Sequence, residues 1–176
     1  IALAARIAGL RVVVVGSSLP EANTEALARY RGAEAEVSYE RCDMGDARAV
    51  TALVQRIQRR FGRIDAVIHG AGRNVPKPLT QAQPESIYPE VAPKLEGGLA
   101  LLAALDEAPP KLFVALTSII GVTGYPGNAW YGFANEALDL SLAAFRARHP
   151  STETIALAYS VWEEVGMGVK LGSVPA

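Results

Sequence analysis

The sequence predicts an α/β fold: an open, doubly wound parallel sheet with helices on both faces. Three features carry that expectation. Short β-branched runs such as Arg11-Val12-Val13-Val14-Val15 have the composition of strands covered on both sides. Stretches with apolar residues at helical spacing separate these runs, and each run ends in glycine or small polar residues instead of a two-residue hairpin turn.

Arg11 to Gly16 is the first strand, and Leu19-Pro20-Glu21 then opens an alanine-rich helix that reaches Arg31 and stops at Gly32. A second strand at about 35–39 leads to Cys42-Asp43. From Asp46 onward Val50, Leu53, Val54, Ile57 and Phe61 recur on one helical face, which Gly62 ends. The third strand covers 64–68. Residues 75–93, rich in proline and polar side chains, are expected to loop before a helix from Pro93 to Ala108 that carries Lys94 near its start. A strand at 112–116, a glycine-punctuated loop, a long helix at 129–148 and a strand at 154–159 complete the pattern.

The segment Ile1-Ala2-Leu3-Ala4-Ala5-Arg6 reads as a helix already under way, with neither an initial methionine nor a cap. The expectation is one domain, 1–176, cut at both ends from a longer protein. Half of the residues are hydrophobic, a fifth are charged, and the formal net charge is −1. With the basic residues scattered, no nucleic-acid or anionic-membrane partner is expected, and no apolar run approaches a membrane span. The single cysteine, Cys42, forms no internal disulfide, and two histidines offer no zinc cluster, so no metal and a reducing, cytoplasmic setting are expected.

Ligands of open parallel sheets bind beyond the carboxyl ends of the strands. The residues that follow the strands here are Gly16-Ser17-Ser18, Cys42-Asp43, His69-Gly70-Ala71-Gly72, Thr117-Ser118 and Tyr159-Ser160. Around the fourth group lies Thr117-Ser118-Ile119-Ile120-Gly121, then Gly124-Tyr125-Pro126-Gly127-Asn128-Ala129-Trp130-Tyr131, with Asn135 four residues beyond the tyrosine. That stretch resembles the active-site segment of ketoreductase domains of polyketide and polyunsaturated fatty-acid synthases, members of the short-chain dehydrogenase/reductase superfamily. Cys42-Asp43-Met44-Gly45-Asp46, His69 to Gly72, Pro93-Lys94-Leu95-Glu96-Gly97-Gly98 and Trp162 to Gly168 are similar to that family in the same order.

The resemblance implies a Rossmann-like sheet whose first strand and glycine-rich turn are missing from this chain, so residues 1–176 alone are expected to be inactive. It also implies NADPH-dependent reduction of a β-ketoacyl thioester, tethered to an acyl carrier protein, among other synthase domains that include a structural partner subdomain. Tyr131 would donate the proton, Lys94 would stabilise the phenolate left behind, Ser118 would bond the substrate carbonyl oxygen, and Asn135 would help hold Lys94 and a relay water. Ser17, Ser18, Asp43, Met44, His69, Gly70, Ala71 and Gly72 would line the cofactor, although His69 also fits a structural role. Ser17 stands where related domains carry an arginine for the 2′-phosphate. Two other readings remain: a catalytically silent bracing subdomain, which would lack the serine, tyrosine, lysine and asparagine set, and a stand-alone dehydrogenase, which would carry lysine at position 135.

Overall fold

The computed structural model describes residues 7–28 and 34–160. They fall into two compact units, divided between Asp43 and Met44. In the first unit β1 (Arg11–Gly16) pairs in parallel with β2 (Glu36–Arg41), Arg11 opposite Glu36 and Gly16 opposite Arg41. Between them a 3-10 turn at Pro20–Asn23 runs into α1 (Thr24–Ala28). The turn ahead of α1 was not separable in the sequence, because proline at a first helical position suits both helix types.

The second unit holds a three-stranded parallel sheet in the order β3 (Ala66–His69), β4 (Leu112–Ser118), β5 (Glu153–Tyr159). Every strand pairing among the described residues is parallel, as the unbroken β-branched runs predicted. Asp46 caps α2 (Ala47–Phe61), its side chain accepting the amides of Arg48 and Ala49, and Gly62 closes the helix at φ 86°. Val50, Leu53 and Val54 are its buried stripe.

Residues 75–93 are not all loop. They contain α3 (Pro84–Val91), entered through Pro84 and a reciprocal Gln83–Ser86 cap. Pro89 lies inside that helix and removes one hydrogen bond, which reads as a break in the sequence. Packing overrides it, since Val91 joins Leu95 and Ala134 in a buried cluster with Ile87 and Trp130 against it. The helix expected from Pro93 to Ala108 is α4 (Leu95–Ala104), with Lys94 at its cap position. Short α5 (Ile119–Thr123) occupies part of the expected glycine loop, and α6 (Ala129–Arg148) has the expected span.

Tight helix packing depends on small residues. A methyl group on Gly97 would run into the backbone carbonyl of Met44, and one on Gly98 would lie 2.5 Å from a Leu138 methyl. These two positions let α4 press against the chain ahead of α2 and against α6. On the sheet, Phe113 of β4 meets Phe145 of α6 at 6.4 Å between ring centroids, and both are fully buried.

Candidate active site

Lys94 is the centre of the site. It is 4 % exposed, and its Nζ donates to the carbonyl of Leu116 at 2.7 Å, near the carboxyl end of β4 and two residues before Ser118. The lysine therefore reaches inward from the start of α4 to the strand edge instead of standing in solvent. Burial pulls its pKa down from 10.5 to about 8, so at neutral pH it is still mainly an ammonium. Holding that charge indoors costs about 3 kcal/mol at pH 7.

Residues at the end of β3 and just after it pack around Lys94 and the strand end it reaches. Gly72 comes so near that a Cβ there would lie 2.8 Å from Lys94 Cε and 3.3 Å from Nζ. His69, 3 % exposed at the end of β3, makes a 2.9 Å hydrogen bond from Nε2 to the Lys94 carbonyl. Because a carbonyl only accepts, Nε2 carries the proton. Desolvation pushes the His69 pKa down to about 4, so the ring is neutral at pH 7 and braces the main chain of Lys94. A Cβ on Gly70 would meet Leu116 Cδ1 at 3.1 Å, on the side chain of the residue whose carbonyl Lys94 binds. Ala71 between the two glycines is half-buried.

Ser118 ends β4 and caps α5, its Oγ accepting the amide of Ile120 at 3.2 Å. That contact uses a lone pair and leaves the hydroxyl proton free to donate. From there α5 is laid onto α6: a Cβ at Gly121 would be 3.4 Å from Asn135 Cβ and 3.5 Å from the Gly132 carbonyl, and one at Gly132 would be 3.2 Å from the Ile120 carbonyl. The chain after Ser118 is thus docked against the helical turn that carries Tyr131 and Asn135. Tyr131 is half-buried. Asn135, 1 % exposed, donates from Nδ2 to the Tyr131 carbonyl at 2.8 Å, and its Oδ1, the atom that could accept from Lys94, is buried with no partner among the described residues.

Two polar groups that the sequence did not single out hold the wall in place. Glu90, buried on α3, accepts the amide of Val75 at 3.1 Å, and the Lys77 amide donates to the Gly127 carbonyl at 2.8 Å. Both contacts join residues distant in the chain, and no local motif marks them. Met44 contributes its carbonyl against Gly97.

In the first unit Ser17 and Ser18 are exposed immediately after β1. Tyr39 Oη donates to the Ser18 carbonyl at 2.8 Å and Arg41 Nε to the Ser17 carbonyl at 3.1 Å. Asp43 is exposed two residues after β2, and its carbonyl faces Cys42 Sγ at 3.6 Å. The Trp162 to Gly168 segment lies outside the described residues.

Solved structures share this architecture. A metagenomic short-chain oxidoreductase in complex with NADP superposes with a TM-score of 0.78 at 21 % identity, over 91 % of this chain and 76 % of that one. A ketoreductase from the macrolactin assembly line gives 0.82 at 25 % identity, covering 90 % of this chain and 33 % of that one. One from the bacillaene assembly line gives 0.79 at 29 %, covering 89 % and 39 %. Fold and site therefore define a Rossmann-like oxidoreductase of the short-chain dehydrogenase/reductase type. The KR domain model matches residues 2–164. Polyketide synthase GfsA of Streptomyces halstedii is 38 % identical over 136 residues, and polyketide synthase PksN of Bacillus subtilis (strain 168) 28 % over 165 residues. The matches cover 77 % and 90 % of this chain but span only 2 % and 3 % of those proteins. The chain belongs to the KR domain family, the ketoreductase domains.

Proposed function

We propose that residues 1–176 belong to one catalytic ketoreductase domain that, in the full-length protein, uses NADPH to reduce a β-ketoacyl thioester, carried on an acyl carrier protein, to the β-hydroxyacyl product. The work takes place inside a multidomain synthase in the cytoplasm, beside other synthase domains that include a structural partner subdomain. The observation that carries this reading is the buried Lys94 ammonium at the Leu116 carbonyl, beside the strand end that bears Ser118. A bracing subdomain has no use for a lysine whose burial destabilises the fold.

The residues fit a dinucleotide. Gly72 leaves open the space that a Cβ would fill beside Lys94, and hydroxyl, guanidinium and amide donors follow the strands. Ser17, Ser18, Asp43, Met44, His69, Gly70, Ala71 and Gly72 would hold NADPH, which when bound supplies the hydride. The chain supplies the proton. The Tyr131 hydroxyl gives its proton to the carbonyl oxygen as negative charge builds there, and the Lys94 ammonium stabilises the phenolate that remains. The Ser118 hydroxyl donates to the same oxygen while its lone pair stays on the Ile120 amide. Asn135, tied to the Tyr131 carbonyl, keeps Oδ1 as a buried hydrogen-bond acceptor that would help hold Lys94 and a relay water.

The full-length protein mixed with NADPH and a β-ketoacyl thioester mimic should lose nicotinamide absorbance in the near ultraviolet. Tyr131→Phe should lower that rate by about 10²–10⁴-fold with cofactor binding nearly unchanged. Equal activity in the variant removes the donor role, and a folded wild type without turnover favours a bracing domain.

A further inference from the structure

Discrimination between NADPH and NADH rests on one phosphate, the 2′-phosphate of the adenosine ribose. In Rossmann-type sheets that ribose position is read after a strand of the nucleotide-binding half, by an acidic residue for the free diol or by an arginine for the phosphate. Ser17-Ser18-Leu19-Pro20 follows β1, with neither an acidic nor a basic side chain. Two hydroxyls alone bring no charge to a dianionic group.

The fold brings a charge to the same place from β2. Arg41 is the last residue of that strand, and the parallel register sets it opposite Gly16, the last residue of β1. Its Nε donates to the Ser17 carbonyl at 3.1 Å. That bond fixes the guanidinium beside the serines while using one of its five N–H groups. Both terminal nitrogens make no hydrogen bond or ion pair among the described residues, and the side chain is exposed. Tyr39 secures the neighbouring carbonyl of Ser18, so both serines are held by side chains of β2.

We propose that Arg41 recognises the 2′-phosphate, with the Ser17 and Ser18 hydroxyls completing its donor set. This rests on the dinucleotide reading above and sharpens it: the cation missing from position 17 is supplied from position 41. A guanidinium presents paired donors that match two phosphate oxygens, which a lysine does not reproduce. No acidic side chain stands at residues 17–20, where one would repel the phosphate.

Equilibrium titration of the full-length protein with NADPH and with NADH, followed by nicotinamide fluorescence, tests this without turnover. Arg41→Ala should weaken NADPH binding by about tenfold or more and leave NADH within about twofold. Arg41→Lys should fall between, and Ser17→Arg added to Arg41→Ala should restore the preference. Circular dichroism reports whether each variant is folded, and Arg41→Gln, which keeps a side-chain donor to the Ser17 carbonyl, stands in if Arg41→Ala is not. Unchanged NADPH affinity in Arg41→Ala, or an equal loss for both cofactors, overturns the assignment to Arg41 while leaving the dinucleotide reading intact. A folded wild type that binds neither cofactor overturns both.

Discussion

The two strand-edge sites place positive charge in opposite environments. Lys94 is almost wholly buried, walled by Gly72 and His69, with its ammonium committed to a backbone carbonyl. Arg41 is exposed and keeps its two terminal nitrogens unspent. A buried cation gains leverage over a neighbouring proton because water does not screen it, and it lowers stability for the same reason. An exposed cation contributes little to stability and acts only when an anion arrives. The first arrangement suits chemistry and the second suits recognition.

Substitutions at Lys94 are the strongest way to break that contrast. Lys94→Met should lower turnover of the full-length protein by about 10³-fold. The same variant should also be more stable at neutral pH, by about 1 kcal/mol or more, because it removes an expensive buried charge. Initial rates and urea midpoints read the two effects separately, and a loss of both would make Lys94 a structural strut.

The pH dependence of stability comes next in size. His69 titrates at about 4 when folded against 6.5 when unfolded, so stability is full above pH 6.5 and is lost as the pH falls from there to about 4. Lys94 titrates at about 8 when folded against 10.5 when unfolded, so the unfolded chain holds the extra proton between those values and stability rises with pH across them. Each step is worth about 3 kcal/mol and is measurable as a midpoint series. Lys94→Met should flatten the alkaline step alone.

Glycine substitutions give smaller changes. Gly97→Ala forces a methyl group against the Met44 carbonyl and should cost about 1–3 kcal/mol in thermal or urea unfolding. Gly72→Ala presses on the movable end of Lys94, so about tenfold should go from turnover with the fold retained. Arg41→Ala should change stability by less than about 0.5 kcal/mol, the smallest effect of the series.

The contrast also shows what a sequence discloses. Parallel strands were legible from their β-branched runs, α2 because period, start and stop signals agree between Asp46 and Gly62, and α6 from its long apolar face. Helix α3 was not, since Pro89 reads locally as a breaker and only the contacts of Ile87 and Val91 outweigh it. At the site, the Ser118, Tyr131 and Asn135 positions came from a contiguous stretch. Position alone did not tell whether Lys94 pointed inward, because that depends on Gly72 and on the Leu116 carbonyl from two other segments. Arg41 gave no signal, as its partner Ser17 lies 24 residues earlier and meets it only through the strand register.

The central claim is that a buried ammonium at position 94 sustains proton delivery by the tyrosine, and the pH profile of kcat/KM for the full-length protein over roughly pH 6 to 10 tests it most directly. The rate should hold through neutrality and then fall about tenfold per unit above a break near pH 8, where Lys94 loses its proton. A profile that stays level to about pH 10 would contradict the account.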